Sequence, residues 1–134
     1  MVVVDGQGVP LGNHLDRASP AEVTLVEQTL RQVSVPRVGR GRPKSKPQRV
    51  IADRAYDSDP LRRRLQQRGI QLICPHRQNR RKAPTQDGRA LRRYRRRWKI
   101  ERNFRRLVVR YERSLTMYNA FFHVACLLIV LRHL

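Results

Sequence analysis

Two carboxylates, Asp53 and Glu101, have the positions expected of metal ligands. Asp53 ends the short apolar run after Arg49, and in open α/β sheets ligands bind at the carboxyl ends of the strands. Tyr94, Arg97, Glu101 and Phe104 follow one another at steps of three or four residues, so all share one face of a predicted helix. Hard cations such as Mg²⁺ bind carboxylate oxygens, often through one or two carboxylates plus phosphate. The two acids therefore predict a shared divalent-metal site.

Each carboxylate also has a structural interpretation. An Asp after a strand often forms a turn or caps a helix. An inward-facing Glu101 costs desolvation unless a cation pairs with it, and Arg97 or Arg105, one turn away on either side, could form that salt bridge. The residues alone leave both interpretations open.

The charge balance predicts a polyanionic partner. The 134 residues include 30 Lys and Arg against 10 Asp and Glu, a net charge of +20, which excludes an ordinary acidic cytosolic enzyme. Most of the basic residues are Arg, which suits bidentate contacts to phosphate. Trp98 could stack on an unpaired base, although a single Trp on an apolar stripe more often belongs to the core. The basic face expected to contact phosphates comprises Arg92, Arg93, Arg95, Arg96, Arg102, Arg106 and Arg110.

The order of apolar runs and turn residues predicts one α/β domain over residues 1–134. A helix separates two strand-like runs, so those strands are expected to be parallel. The last, apolar helix is expected to be buried against the sheet through Leu127, Leu128, Val130 and Leu131, because its apolar run is too short to cross a bilayer. The predicted elements are a hairpin (1–4 and 9–15, turn 5–8), a helix capped at Ser19 and Pro20, a basic loop (34–48), a strand (49–53), a helix (57–69), a strand (70–75), a polar loop (76–88), a long helix (89–113) and a final helix (115–134).

Cysteine and histidine usage gives little sign of a further site. Cys74 and Cys126 lie in apolar stretches without ligand spacing, so they are expected to be buried, reduced thiols rather than zinc ligands. The four His residues are scattered, and none is predicted to be catalytic. The chain opens without a secretory leader pattern, which predicts a cytoplasmic, nucleoid-associated protein without a membrane partner.

Two segments resemble a known enzyme family. Asp53-Arg-Ala-Tyr56-Asp-Ser58 resembles the segment around the second acid of the DDE transposases of bacterial insertion sequences, the group called IS-four and IS-five type. The spacing Tyr94, two residues, Arg97, three residues, Glu101 is similar to the signature around that group's third acid, Tyr-(2)-Arg-(3)-Glu-(6)-Lys. The order of elements is similar to the family's RNase H-like fold.

The resemblance implies a reaction and a set of roles. Asp53 and Glu101 would be catalytic ligands of Mg²⁺ or Mn²⁺, and Tyr94 and Arg97 would position phosphates of the DNA. The implied reaction is hydrolysis at a transposon end, followed by attack of the freed 3′-hydroxyl on target DNA. The residues expected to contact DNA are Tyr94, Arg97, Trp98, Arg92, Arg93, Arg96, Arg105, Arg106 and Arg110.

Two departures from the family pattern bear on activity. Val108 replaces the signature Lys, so Arg105 or Arg110 would have to supply that phosphate contact. The family's first acid lies on a strand before the opening hairpin, and Asp5, in a tight turn, is a poor substitute. We therefore expect a C-terminal portion of a transposase, N-terminally truncated and inactive alone. It is either the product of a degraded element or the second reading frame of a transposase completed by an upstream-encoded part, and a homodimer is left open. The alternative is a non-catalytic basic nucleic-acid-binding protein in which Glu101 forms a buried salt bridge.

Overall fold

The structure is a computed structural model, and it describes residues 1–16, 21–98 and 114–132. Short 3₁₀ turns follow the third strand and the third helix, at Arg54–Tyr56 and Arg93–Arg97. The regular elements of the described residues are β1 (Val2–Val4), β2 (Pro10–Asn13), α1 (Glu22–Arg31), β3 (Arg49–Ile51), α2 (Asp59–Gln67), β4 (Gln71–Ile73), α3 (Gly88–Arg92) and α4 (Leu115–Leu131).

The predicted opening hairpin is confirmed. β1 and β2 pair antiparallel, with Val2 opposite Asn13. The turn is organised by Asp5, whose Oδ1 accepts hydrogen bonds from the backbone N–H groups of Gln7, Gly8 and Val9 at 2.8–2.9 Å. Asp5 therefore acts as a turn residue, as the sequence indicated.

The second predicted unit, strand, helix and parallel strand, is also confirmed. β3 and β4 are parallel, with Val50 opposite Leu72, and α2 connects them. The Ser58 side chain caps α2 by accepting a hydrogen bond from the N–H of Leu61 at 3.4 Å. Gly69 ends the connection at a φ of 69°, a conformation that glycine adopts without steric cost. Within the described residues, β1–β2 and β3–β4 form two separate two-stranded sheets.

One hydrophobic core unites these units. Met1, Val3 and Leu11 of the hairpin pack against its margin, as do Val50 and Ala52 of the β3 segment. Val26 and Leu30 of α1 belong to this core. α1 begins at Glu22 with Ala21 as its N-cap, and the predicted N-cap Ser19 and first-turn Pro20 lie outside the described residues. The buried core residues are Val26, Leu30, Val33, Leu61, Leu65, Ile70, Leu72 and Cys74.

The prediction that the last helix is buried is wrong for α4. Leu127, Leu128 and Leu131 are 54–56% exposed, Val130 is only partly buried, and Ala125 is the buried residue of this helix. α4 is largely apolar and carries no Asp, Glu, Lys or Arg, so a contact on one side leaves other apolar side chains exposed. Among the helices of the described ranges, none is long and apolar enough to cross a membrane.

The long helix predicted from Arg89 is also interrupted. α3 ends at Arg92, the chain tightens into a 3₁₀ turn at Arg93–Arg97, and residues 99–113 lie outside the described ranges. Like charges three and four residues apart repel each other on an α-helix, and this stretch carries five Arg within six residues. Side chains three residues apart eclipse one another in a 3₁₀ turn. Tyr94 and Arg97 are therefore brought to the same side.

Candidate active site

Asp53 lies where the parallel pair β3–β4 ends. Its carbonyl oxygen accepts hydrogen bonds from the Cys74 thiol and from the Tyr56 N–H, both at 3.0 Å. Its side chain accepts a hydrogen bond from the N–H of Arg54 and so caps the following 3₁₀ turn. The Asp53 side chain is nonetheless 46% exposed. The hydrogen bond from the Arg54 N–H agrees with the turn-forming interpretation of Asp53. Part of the carboxylate nevertheless remains accessible to a ligand.

The structure brings Tyr94 and Arg97 to this carboxylate, 41 and 44 residues further along the chain. Arg97 Nη1 lies 2.7 Å from Asp53 Oδ2, and the Tyr94 hydroxyl lies 3.5 Å from Oδ1. The Arg97 guanidinium also lies over the Tyr94 ring, 5.4 Å from its centroid, within the range of a cation–π contact. The two signature residues that precede Glu101 therefore converge on Asp53.

The surroundings of the Tyr94 hydroxyl keep it protonated. Burial and the negative charge of Asp53 raise the pKa of Tyr94, and the neighbouring Arg97 only partly opposes them. A protonated hydroxyl can donate a hydrogen bond to the carboxylate or to a phosphate oxygen. Arg97, always charged, supplies the positive charge of the group.

Some of the other predicted site residues lie within the described ranges, and the rest lie outside them. Arg92, Arg93, Arg95 and Arg96 are exposed, as a DNA-contacting face requires. Trp98 is 50% exposed, so its interpretation as a core residue is wrong, and base stacking stays a prediction. The predicted residues that lie outside the described ranges are Glu101, Arg102, Arg105, Arg106, Val108 and Arg110.

Sequence reasoning missed a buried charged cluster around Asp57, whose side chain is only 2% exposed. Asp57 Oδ1 lies 3.0 Å from both Arg62 Nη2 and His76 Nδ1, and Oδ2 accepts a hydrogen bond from the Arg77 N–H at 2.9 Å. Burial alone would raise the pKa of Asp57, but the hydrogen bonds from Arg77, Arg62 and His76 hold it below its usual value. The sequence predicts for Asp57 only a place at the start of the helix over 57–69. The sequence signal that could have pointed to Asp57 is its position four residues after Asp53, in the same short segment.

This cluster fixes the loop that leads to Tyr94 and Arg97. His76 Nε2 accepts a hydrogen bond from the Thr85 N–H at 3.1 Å, so the neutral ring carries its proton on Nδ1 and donates it to Asp57. Arg80 forms two hydrogen bonds to Asp59, at 2.8 and 3.2 Å. The loop predicted at 76–88 is thus held at several points before Asp87 caps α3.

The donor set around Asp53 suits part of a metal site. A half-exposed carboxylate offers the hard oxygen ligands that Mg²⁺ and Mn²⁺ prefer. Within the described ranges, no group of three or more His, Cys, Asp or Glu residues could hold a metal ion. Asp53 therefore fits as one ligand of such a site and needs further carboxylates.

The comparisons with known proteins define the class. The family described as Transposase DDE domain matches residues 1–133, and the chain belongs to that family. It is 36% identical over 134 residues to a Burkholderia cepacia protein assigned as a transposase for insertion sequence element IS402. The alignment covers 96% of this chain and 60% of that relative, so the chain spans about 60% of the relative's length. No solved structure matches the chain. The resemblance to insertion-sequence DDE transposases is confirmed.

Proposed function

We propose that this chain supplies Asp53 and Glu101 to the catalytic centre of a transposase that cuts and joins DNA at the ends of an insertion sequence. The observation that carries the proposal is the convergence of Tyr94 and Arg97 on Asp53. These three residues belong to the two segments that resemble the family's second and third acidic motifs. Phosphoryl transfer on DNA is the reaction that such a carboxylate and guanidinium group suits.

The proposal includes an RNase H-like sheet completed by a strand from outside this chain. It is supported by two small sheets that pack around one core without pairing with each other in the described residues. A strand between β1 and β3 would join them and would carry the first acid of the DDE set. On this proposal the chain is inactive until an upstream-encoded portion supplies that strand.

Each residue of the site has a proposed role. Asp53 and Glu101 would hold Mg²⁺ or Mn²⁺, which when bound activates the attacking oxygen and stabilises the leaving oxygen. Arg97 neutralises Asp53 in the absence of DNA and binds a phosphate beside the scissile bond in its presence. Tyr94 donates a hydrogen bond from its hydroxyl to a phosphate oxygen of the same strand.

The wider basic face is proposed to bind the DNA of the transposon ends and of the target, as a monomer or a homodimer, in the bacterial nucleoid. Its members share a cationic or stacking side chain near the Tyr94–Arg97 turn or on the segment after it. They are Arg92, Arg93, Arg96, Trp98, Arg105, Arg106 and Arg110.

Substitution of Glu101 tests the catalytic part of the proposal. In the chain joined to its upstream-encoded portion, Glu101→Gln and Asp53→Asn should each reduce Mg²⁺-dependent cleavage of an insertion-sequence end by at least about 100-fold, since each removes a metal ligand. Binding of the same duplex should change by less than about twofold. Glu112→Gln makes the same chemical change eleven residues further on and should leave cleavage intact. Equal cleavage by Glu101→Gln and the parent would refute the assignment.

A non-catalytic nucleic-acid-binding protein is the second candidate, and the pairing of Asp53 with Arg97 favours it. An ion pair at 2.7 Å already neutralises the carboxylate without a metal. The two candidates differ in the response to cations. Mg²⁺ or Mn²⁺ should raise the Tm of the parent but not of Asp53→Asn if Asp53 is a ligand. Equal responses of the two proteins would favour the non-catalytic candidate.

A further inference from the structure

A cleft lies beside β4, between α2 and the loop that contains Lys82 and Gln86, and Gln48 before β3 also lines it. Its volume is about 600 Å³, within the usual range of ligand pockets. Four amide side chains line it, Gln48, Gln66, Gln71 and Gln86, beside Arg63 and Lys82. Gln71 accepts a hydrogen bond from Arg49, and Gln86 is bonded to Arg62 and to the Cys74 carbonyl, so these two amides already have partners in the protein. The catalytic proposal uses none of these residues.

The edge of β4 inside this cleft is closed to strand addition. The Arg62 guanidinium donates hydrogen bonds to the carbonyl oxygens of Leu72 at 3.2 Å and Cys74 at 2.8 Å. The Gln86 amide donates a further hydrogen bond to the Cys74 carbonyl. A strand arriving at this edge would meet carbonyl groups that already have partners. The occupant is therefore expected to contact side chains rather than extend the sheet.

The electrostatic character of the cleft favours a phosphate-bearing ligand. Asp59, the acidic residue in its lining, is neutralised by Arg80 at 2.8 Å, with Lys82 at 4.0 Å. Arg63 is an exposed cation on the rim. The local positive charge thus adds to the net charge of +20 over the whole chain.

We propose that this cleft binds one strand of DNA, with the amides of Gln48 and Gln66 on base edges and its cations on phosphates. A glutamine amide offers a donor and an acceptor side by side, which is the pattern that pairs with an adenine edge. Arg and Lys contribute phosphate contacts that are independent of sequence. The inference rests on the proposed function, because it adds a second DNA contact to the same protein. The cleft adjoins the Asp53 site, since Gln86 donates a hydrogen bond to the Cys74 carbonyl and the Cys74 thiol donates one to the backbone carbonyl of Asp53.

Helix α2 provides a matched pair of variants. Arg63→Ala with Gln66→Ala removes one guanidinium and one amide from the cleft. Arg64→Ala with Gln67→Ala removes the same groups from neighbouring positions outside it, where Arg64 Nε donates to Glu27 Oε2 at 2.8 Å. Both double variants lower the net charge by one, so bulk electrostatics affect them equally.

The test measures binding of a fluorescent twelve-residue oligo-dA to the full chain by anisotropy, with folding of each variant checked by circular dichroism. The Arg63/Gln66 variant should bind at least about fivefold more weakly than the parent, and the Arg64/Gln67 variant less than about twofold. An oligonucleotide of the same length without bases should show a smaller difference between the variants, because the glutamine contacts are then absent.

Three results would overturn the inference. Equal losses in the two variants would mean that only bulk charge matters. Displacement of the oligonucleotide by free dAMP at the same nucleotide concentration would identify a free-nucleotide site instead of a DNA strand. Failure of the parent chain to bind DNA at all would count against the proposed function as well, whereas the first two results would leave that proposal standing.

Discussion

Substitution of Asp57 by Asn should destabilise the chain by about 3 kcal/mol, although the two side chains have almost the same shape. Asp57 is 2% exposed and accepts three hydrogen bonds, from Arg62, His76 and the Arg77 N–H. An amide in either orientation directs its NH₂ group at one of these donors. That contact leaves a buried donor unsatisfied, which costs about 1–3 kcal/mol, and the remaining bonds lose the strength that the charge gave them.

The estimate agrees with the roughly 3–5 kcal/mol lost when one partner of a buried ion pair is removed. For a chain of this length, about 3 kcal/mol corresponds to a decrease in Tm of about 10 °C. Urea unfolding followed by far-ultraviolet circular dichroism at pH 7 measures the free energy directly. Asp59→Asn is the matched control, because Asp59 is more exposed, at 23%, and should give a clearly smaller decrease.

The pH dependence provides an independent check of this reasoning. The folded-state pKa of Asp57 is below the ordinary value of an Asp, so its contribution is present above about pH 4 and is lost as the pH falls through the folded pKa. The stabilities of the parent and Asp57→Asn should therefore converge in acid. If Asp57→Asn is as stable as the parent at pH 7, or if the difference persists unchanged to pH 2, the carboxylate does not hold the loop.

Three further predictions concern other parts of the fold. Gly69→Ala should cost about 1 kcal/mol in urea unfolding, because a φ of 69° is strained for any residue with a Cβ, and an unchanged midpoint would contradict this. At pH 8 a thiol reagent should modify Cys126 first, since burial raises the pKa of Cys74 to about 11 and its thiol is fully buried; peptide mapping that finds Cys74 modified first in the folded chain would be inconsistent with the structure. Leu127→Lys should leave Tm within about 2 °C and decrease any self-association measured by sedimentation, because Leu127 is 56% exposed, whereas a large loss of Tm would indicate that α4 is packed after all.

The parts of the fold that follow from local signals could be predicted from sequence. Asp5 and Gly8 mark a tight turn, Ser58 and Pro60 mark a helix start, and Gly69 marks its end, and each acts as expected. Asp53 was recognised from the strand before it. Helical spacing places Tyr94 and Arg97 on one face with Glu101, whereas their role at the site follows from the resemblance to the transposase signature, and the observed turn is 3₁₀ rather than α-helical.

The failures have a common physical origin, because they depend on long-range contacts. The apolar composition of α4 predicted burial, but burial requires a surface large enough to cover the helix, and the described part of the chain leaves Leu127 and Leu128 exposed. His76 appeared isolated because its partners Asp57 and Thr85 lie 19 and 9 residues away. Residue spacing predicts contacts within one helix or strand, and it does not predict contacts between residues this far apart in the chain.

On the proposed function, Asp53 and Asp57 give one short segment a role in the reaction and a role in the scaffold. Four residues separate them, yet Asp53 is 46% exposed and Asp57 is 2% exposed, so only the first is accessible to a ligand. Asp57 holds the start of the loop whose end carries α3 and the turn with Tyr94 and Arg97. The segment therefore exposes the Asp53 carboxylate, and the buried Asp57 carboxylate helps to fix the positions of Tyr94 and Arg97, which contact Asp53. A site built in this way loses its geometry when Asp57 is changed, even though Asp57 is buried away from any substrate.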